Sequence, residues 1–337
     1  MHETTAQWSP PAPADRQCPD GIGWQHFGQA QLGESRQCFR GNSRVDLGLD
    51  EAPSQHDRTM HNLGRHHTPN FLMSPSDNLP TMKLATWNVN SLTVRLPQVL
   101  DWLQANPVDV LALQELKLTD DKFPFSALAE AGYQAQCFGQ KTYNGVALLT
   151  REPALNVVRN IPGFSDDMAR VISADVAGVR VIGGYFPNGQ EPGSDKFEYK
   201  MSWLKGLRDW VRTELQSHPQ LVLMGDFNIT FDDADVWDPV GLKDSIHCTE
   251  EERYHLRALV ALGLHDGVRM FPQPPKNYSW WDYRNFGFRR NQGLRIDHIL
   301  VSEALKPLVR SCHVDRTPRA NERPSDHAPV VIDIGLA

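Results

Sequence analysis

Short polar clusters interrupt the apolar runs of this 337-residue chain, and they contain the side chains best suited to chemistry. Most of them follow or interrupt a stretch with the pattern of a β-strand. The clusters are TWNVN at 86–90, QELK at 114–117, YFPNG at 185–189, GDFNI at 225–229, GLRIDHIL at 293–300 and SDHAPV at 325–330. Together they supply carboxylates, amides, a tyrosine and a histidine, which can hold a hard divalent cation and activate a water against a phosphodiester.

Each cluster taken alone also has an ordinary explanation. Glu115 could cap the preceding apolar run at the surface, and Asp226 and Asn228 could bond their own backbone in a turn. The Ser-Asp-His cluster could be a loop. Asp297 is harder to explain, because it interrupts the apolar stretch 294–300, where an unpaired buried charge would be costly. Six such clusters in one chain favour a shared site over six separate coincidences.

Hydrolysis of a phosphodiester needs an oriented water, neutralisation of the developing charge and help for the leaving oxygen. Mg²⁺ prefers carboxylate and amide oxygens, so Glu115 and Asp326 are natural ligands. A neutral asparagine at Asn88 or Asn228 can donate to a phosphoryl oxygen without repelling it. An aspartate could instead act as the base.

A histidine near a carboxylate completes this set. We pair His327 with Asp297 as a hypothesis, because a carboxylate partner holds imidazole in one tautomer and favours its charged form. Other chemistries lack their motifs. No Cys/His spacing resembles a zinc site, and the chain has no G-x-x-x-x-G-K-[ST] phosphate loop.

Alternating strand and helix patterns predict how these clusters are positioned. Apolar periodicity predicts helices over 97–105, 123–131, 195–217 and 250–262. It predicts strands over 84–87, 108–113, 145–150, 171–176, 179–185, 221–224, 296–301 and 330–334. Strands outnumber helices and several lie in adjacent pairs, so we expect a four-layered α/β sandwich of two packed mixed sheets flanked by helices.

The chain divides near residue 81. Residues 1–81 contain a Pro-Pro step, scattered glycines and six of the thirteen histidines, without sustained periodicity, so we expect disorder there. The histidines at 61–67 could suggest a metal tract, but an unstructured tail is favoured. Met82 directly precedes the first strand, and we hypothesise that the tail is an upstream extension from a misplaced start. Residues 82–337 would then form the catalytic domain.

Composition limits the setting of the protein. The net charge of −7 excludes a global basic field, so a nucleic-acid enzyme would depend on local basic patches and metal. The five cysteines are an odd number without framework spacing, which indicates free thiols in the reducing cytoplasm. No run reaches the roughly 18 apolar residues of a membrane span, and residues 1–25 do not fit a targeting peptide.

Taken in order, the motifs of this chain resemble the exonuclease III family of DNA-repair nucleases. This family lies within a larger group that includes deoxyribonuclease I and inositol polyphosphate 5-phosphatases. The matching motifs, spread over about 82–337, are WNVNSL, LQELK, YFPNG, MGDFNI, SWWDYR, NQGLRIDHIL and PSDHAPV. GDFN with SDH would indicate only the larger group, whereas YFPNG, SWWDYR and GLRID point to the exonuclease III branch.

The resemblance implies a reaction and a substrate. The chain would be a Mg²⁺-dependent exodeoxyribonuclease III, with Mn²⁺ as a substitute, that degrades duplex DNA from 3′ ends. It would also be a class II AP endonuclease, which cuts at abasic sites, and would clean blocked 3′ ends. Its partner would be double-stranded DNA with abasic sites or blocked 3′ ends, and we expect it to act as a monomer.

The resemblance also implies a role for each polar residue. Tyr185 would contact the scissile phosphate, Asp226 would transfer a proton, and Asn228 would stabilise the charged transition state. Asp297 would orient His327, which touches the phosphate. The implied metal ligands, for one metal or two, are Asn88, Glu115, Asp226, Asn228, Asp326 and His327. Whether Asp226 or His327 activates water stays open.

An apolar pocket is implied as well. Trp280, Trp281 and Leu294 match the pocket that receives a flipped-out abasic sugar, and an aromatic enclosure suits a small, partly apolar deoxyribose. Core packing is the alternative for either tryptophan. Two rival functions remain: a phosphatase or lipid phosphodiesterase of the same superfamily, which SWWDYR and GLRID argue against, and a binding protein without catalysis. The latter is disfavoured because every cluster keeps its polar residues.

Overall fold

The computed structural model describes residues 80–336. The expected disorder and the histidines at 61–67 therefore lie outside the described residues, apart from the last two positions of the proposed tail. The described elements, in chain order, are β1 (Thr81–Asn88), α1 (Leu92–Ala105), β2 (Val110–Gln114), α2 (Phe125–Glu130), β3 (Gln134–Phe138), β4 (Val146–Thr150), β5 (Leu155–Arg159), β6 (Val171–Val176), β7 (Val179–Tyr185), α3 (Asp195–Ser217), β8 (Leu221–Asp226), α4 (Glu250–Val260), β9 (Leu264–Asp266), α5 (Gly287–Arg290), β10 (Asp297–Ser302), β11 (Val309–Val314) and β12 (Val330–Gly335). Among them, no helix is long and apolar enough to cross a membrane.

The strands form two mixed sheets, as predicted, and each sheet has six strands. The first has the order β11-β12-β1-β2-β4-β3 and the second has the order β5-β6-β7-β8-β10-β9. Strands β1 and β2 run parallel, as do β7 and β8, and the other pairs are antiparallel. The four-layered α/β sandwich is confirmed.

Successive side chains of the central strands point to opposite faces of their sheet, and this alternation produces three apolar layers. Leu84 and Ala112 of the first sheet face Val222 and Ile299 of the second, in the core between the sheets. Residues of opposite parity, such as Trp87, face outward, where α1 and α2 cover the first sheet. Helices α3 and α4 cover the second sheet in the same way. Burial on both faces explains why the central strands are nearly continuous apolar runs.

The structure differs from the predicted elements in small shifts of several bounds, in the unpredicted helix α5, and in two larger respects. Helix α1 begins at Leu92, so Pro97 lies inside the helix and does not open it. Proline lacks an N–H and removes one helical hydrogen bond, but the buried Leu92 and Val99 anchor the helix on both sides. Strands β3, β5, β9 and β11 were not predicted, and all four are edge strands.

Strand direction brings the polar clusters to one edge of the sandwich. Asn88 ends β1, and Glu115 directly follows β2, which is parallel to β1. Asp226 ends β8, while Asp297 begins the antiparallel β10 and is its direct partner. His327 precedes β12, which runs antiparallel to β1. In an antiparallel pair, the start of one strand lies beside the end of the other. The starts of β10 and β12 therefore lie at the same edge as the ends of β8 and β1.

Candidate active site

Two acidic side chains and one imidazole side chain converge at this edge. Glu115, Asp226 and His327 each offer one ligand atom, and these atoms lie within 4.8 Å of one another. The amide of Asn88 links the two carboxylates, because its Nδ2 donates to Glu115 Oε1 at 2.9 Å and to Asp226 Oδ2 at 2.9 Å. The structure therefore brings together residues from four separate clusters of the sequence.

Four residues of the site have left-handed backbone conformations: Asn90, Glu115, Lys117 and Asn228. Glu115 has a φ of 54° and Asn228 has a φ of 51°. In the GDFN turn, the Asn228 N–H donates to Asp226 Oδ1 at 2.9 Å, as the ordinary turn explanation required. The side chain of Asn228 also donates to the Phe186 carbonyl at 3.0 Å and to Asp226 Oδ2 at 3.3 Å. The turn thus orients functional groups, and such backbone strain is typical of functional sites.

The hypothesised pair of Asp297 and His327 is present. His327 Nδ1 lies 2.9 Å from Asp297 Oδ2 and 3.1 Å from Oδ1, and both side chains are buried. Ser279 fixes the carboxylate, since its Oγ donates to Asp297 Oδ2 at 2.7 Å and accepts the Asp297 N–H at 3.0 Å. This arrangement leaves Nε2 of the imidazole facing Asp226 Oδ2, at 3.8 Å.

Burial and charge set the protonation of the pair between Asp226 and His327. Burial raises the pKa of Asp226, the nearby Asp297 and Glu115 carboxylates add to it, and His327 opposes it. Burial alone would lower the pKa of His327, but Asp297 and Asp226 outweigh it and raise that pKa. The imidazole is therefore held in its charged form.

Tyr185 joins this cluster as a neutral phenol. Burial raises its pKa well above the ordinary value, and the carboxylates of Glu115 and Asp226 raise it further. Tyr185 is thus a hydrogen-bond donor at the site and does not ionise at neutral pH.

Asp326 lies beside the cluster and is joined to it by a chain of polar contacts. Its Oδ1 accepts from Asn90 Nδ2 at 2.9 Å and its Oδ2 accepts from Trp280 Nε1 at 3.0 Å. Asn90 Oδ1 in turn accepts from Lys117 Nζ at 2.6 Å, and Lys117 Nζ lies 2.8 Å from Glu115 Oε2. Asn90 and Lys117 therefore connect Asp326 to Glu115.

The donor set fits a hard divalent cation. Glu115 and Asp226 present carboxylate oxygens, the ligand type that Mg²⁺ prefers, while the Oδ1 of Asn88 accepts the Asn90 N–H. Burial, and then the neighbouring carboxylates, raise the pKa of Asp226, and a bound cation would favour its charged form. A charged His327 has no free lone pair for a metal, so the oxygen ligands suit the cation better.

A cleft of about 660 Å³ opens next to the cluster. Trp280 and Leu294 line it, and their backbones pair, with each N–H donating to the other's carbonyl at 2.9 Å. Trp281 points the other way: it is 0% exposed, packs edge-on against Phe288, and donates from Nε1 to Asn291 Oδ1 at 3.1 Å. The cleft therefore holds two of the three predicted pocket residues.

Several site residues were not predicted from the sequence. Asn90 and Lys117 stand inside the TWNVN and QELK clusters, and Ser279 stands at the start of SWWDYR. Lys200 is a further example, because it lies in the apolar stripe of α3 between Phe197 and Leu204. A lysine at a buried helical position was the signal that could have identified it.

The chain is similar to known nucleases in sequence and in structure. A model of the endonuclease/exonuclease/phosphatase family matches residues 85–327. Exodeoxyribonuclease III from Haemophilus influenzae is 35% identical over 266 residues, which cover 74% of this chain and 98% of that protein.

Two solved structures extend the comparison. One is the 3′ phosphatase NExo from Neisseria bound to a product DNA hairpin, with 48% identity and a TM-score of 0.75. The other is an AP endonuclease from Archaeoglobus fulgidus, with 34% identity and a TM-score of 0.74. Each match covers 76% of this chain and 100% of the other chain.

Proposed function

The chain belongs to the exonuclease III branch of the endonuclease/exonuclease/phosphatase family, and on this basis we propose that it is a metal-dependent DNA-repair phosphodiesterase. It removes nucleotides and blocking groups from the 3′ ends of duplex DNA and cuts 5′ to an abasic site. The observation that carries this function is the convergence of Glu115, Asp226 and His327 beside an open cleft.

The names of the similar proteins support DNA as the substrate. They are an exodeoxyribonuclease, a 3′ phosphatase bound to a DNA product, and an AP endonuclease. All three activities break a phosphoester bond beside a deoxyribose, so one phosphate-binding site can serve each of them. The substrate class of this chain is accordingly duplex DNA with abasic sites or blocked 3′ ends, and the chain acts as a monomer.

The side chains of the site divide the chemistry among them. Asp226 accepts a proton from the attacking water, because burial brings its pKa closer to neutrality, where a general base works best. His327, charged and oriented by Asp297, stabilises the negative phosphoryl oxygens. Asn228 and Tyr185 donate neutral hydrogen bonds to the same phosphate.

The metal of this proposal is Mg²⁺, for which Mn²⁺ can substitute. Glu115 and Asn88 would hold it, and Asp226, Asn228 and Asp326 are further candidate ligands. His327, which the sequence also suggested as a ligand, has no lone pair for a metal in its charged form. When bound, the cation would neutralise phosphoryl charge and assist the leaving oxygen. The carboxylate and amide oxygens of this set support a hard cation over a soft one.

The cleft beside the cluster takes the sugar of the damaged nucleotide. Trp280 and Leu294 offer an apolar wall to an abasic deoxyribose or a terminal sugar. Trp281 is buried in a separate cluster with Tyr278 and Ala328 and does not line this cleft. Discrimination among substrates then comes from this cleft, whereas the chemistry comes from the polar cluster.

Direct incubation with defined substrates tests the function. The substrates are an abasic-site duplex, a 3′-phosphate duplex, a blunt duplex, an inositol phosphate and a sphingolipid, each with Mg²⁺ or with EDTA. We expect cleavage of the DNA substrates with Mg²⁺ alone, and loss of that cleavage in Asp226→Asn. Turnover of the inositol phosphate or sphingolipid without cleavage of any duplex would contradict the proposal and identify a phosphatase or lipid phosphodiesterase.

A further inference from the structure

We propose that Lys200 and Glu252 are positioning residues, and that their buried ion pair holds Asn228 in the backbone conformation that orients its amide at the reacting phosphate. The inference rests on the proposed function for its kinetic test, but its structural test is independent of activity. Neither residue reaches the cleft, so neither is a catalytic residue.

The ion pair lies between two outer helices and the site. Lys200 on α3 and Glu252 on α4 both have side chains that are 0% exposed, and Lys200 Nζ lies 2.5 Å from Glu252 Oε1. The same Nζ donates to the Asn228 carbonyl at 2.8 Å and to the Asn188 carbonyl at 3.1 Å. The three N–H groups of the ammonium are thereby all used.

Asn228 needs such support because of its backbone. Its φ of 51° places it in the left-handed region, which is unfavourable for most L-residues and which asparagine adopts more readily than most. The carbonyl of Asn228 receives a second hydrogen bond from His247 Nδ1 at 2.7 Å. Lys200 and His247, which both lie outside the turn, therefore fix the peptide group between Asn228 and the next residue.

Glu252 organises the second of these donors. Its Oε1 accepts the His247 N–H at 3.1 Å, and its Oε2 accepts from the Thr249 N–H at 3.1 Å and from Thr249 Oγ1 at 2.7 Å. Thr249 is also the N-cap of α4, in a reciprocal capping box with Glu252. One carboxylate thus links α4, the loop that carries His247, and Lys200.

The YFPNG turn packs against the same lysine. Gly189 has a φ of +88°, and a Cβ placed there would lie 3.0 Å from Lys200 Cδ. Asn188, whose carbonyl binds Lys200, also directs its Nδ2 toward Asn228 Oδ1 at 3.4 Å. The ammonium is therefore a shared anchor for two turns that face the phosphate.

A purely structural role would not need these contacts. Buried ion pairs are weak contributors to stability and can be replaced by apolar residues of similar volume. A second ion pair joins Glu214 on the same helix to the buried Arg180 on β7 at 2.7 Å, contacts none of the six polar clusters and supplies a control.

The kinetic test compares full-length variants on the 3′-phosphate duplex, far below the unfolding temperature. Lys200→Met/Glu252→Met replaces the pair with apolar volume, and Glu252→Gln is the milder variant if that protein fails to fold. We expect kcat to fall by about 10²-fold with KM within about twofold, as for a misplaced catalytic group. Glu214→Gln should keep the wild-type kcat. A folded Lys200→Met/Glu252→Met variant with wild-type kcat would overturn the proposal.

Two further measurements separate positioning from other effects. Asn228→Gly removes the amide but accepts a positive φ, so Lys200→Met/Glu252→Met should cost little more in that background. An equal fold-loss in kcat in both backgrounds would contradict positioning.

A crystal structure of Lys200→Met/Glu252→Met shows the backbone conformation of Asn228 directly. This test is valid even if the protein cuts no duplex. We expect Asn228 to leave the left-handed region, and an unchanged Asn228 would refute the inference.

Discussion

Asp226 and Asp297 are direct partners across strands β8 and β10, and the imidazole of His327 lies between their carboxylates. His327 Nδ1 is 2.9 Å from Asp297 Oδ2, and its Nε2 is 3.8 Å from Asp226 Oδ2. The negative charges of Asp226 and Asp297, buried at directly opposed positions of the two strands, would otherwise repel each other. A charged His327 offsets that repulsion, so the three side chains form one electrostatic unit.

The first prediction concerns the base. Asp226→Asn keeps the shape of the side chain but removes its charge and its capacity to accept a proton. We expect kcat to fall by about 10²–10⁴-fold, with the Kd for duplex DNA nearly unchanged. Single-turnover rates and a binding titration measure the two quantities. Retention of more than about a tenth of the wild-type kcat would refute the assignment.

The second prediction concerns the unit of Asp297 and His327. Because Asp297 acts through His327, the double variant with alanine at both positions should lose little more activity than His327→Ala alone. Ser279→Ala removes the donor to Asp297 and should give a smaller loss of the same kind. The comparison uses ΔΔG‡ from kcat for each single and double variant. Fully additive losses would mean that the residues work separately.

The third prediction separates the two tryptophans. Trp281→Ala empties a fully buried position and should cost about 3–5 kcal/mol of stability. Trp280→Ala alters the wall of the cleft, so it should raise KM for abasic DNA with only a moderate fall in Tm. Thermal unfolding and steady-state kinetics of both variants provide the comparison. A large Tm drop with unchanged kinetics for Trp280→Ala would make Trp280 a core residue.

The fourth prediction is a pH dependence of stability at His298. Its Nδ1 accepts from Arg295 Nη1 at 3.0 Å and its Nε2 donates to the Ile229 carbonyl at 2.8 Å, so the ring is neutral. Burial and the Arg295 guanidinium lower the pKa of His298 to about 4, against the opposing carboxylates of Asp266 and Asp235. The unfolded chain binds this proton below about pH 6.5. Folding stability is therefore lost as pH falls from that value toward 4.

His298→Gln tests this dependence, since glutamine does not titrate. The difference in the free energy of unfolding between wild type and His298→Gln should shrink by up to about 3 kcal/mol between pH 7 and pH 4. Urea unfolding at several pH values measures it. A difference that stays constant over this range would show that His298 is not held neutral.

The fold was predictable where burial was complete. Central strands such as β2 and β8 are buried on both faces, and their apolar runs were clear in the sequence. The four strands not predicted lie at sheet edges, where one neighbour is missing. In β5 no residue is fully buried, so its sequence lacks the apolar pattern from which the central strands were predicted.

The site was predictable where its residues stand in short clusters at the ends of central strands. Asn88, Glu115 and Asp226 are examples, since chain order alone placed them at strand ends. The side-chain direction of a residue could not be read in the same way. Trp280 and Trp281 are adjacent and identical in type, yet one lines the cleft and the other is buried. Only tertiary packing decides between them.

A Mg²⁺ titration of EDTA-treated enzyme on the 3′-phosphate duplex tests the central claim most directly. Wild type is compared with Glu115→Gln, and Glu130→Gln on the exposed end of α2 is the control. We predict no product in excess EDTA, recovery with Mg²⁺, and an apparent Mg²⁺ requirement at least about tenfold higher in Glu115→Gln alone. Cleavage that persists in EDTA, or a wild-type Mg²⁺ dependence in Glu115→Gln, would contradict a metal-dependent reaction at this site.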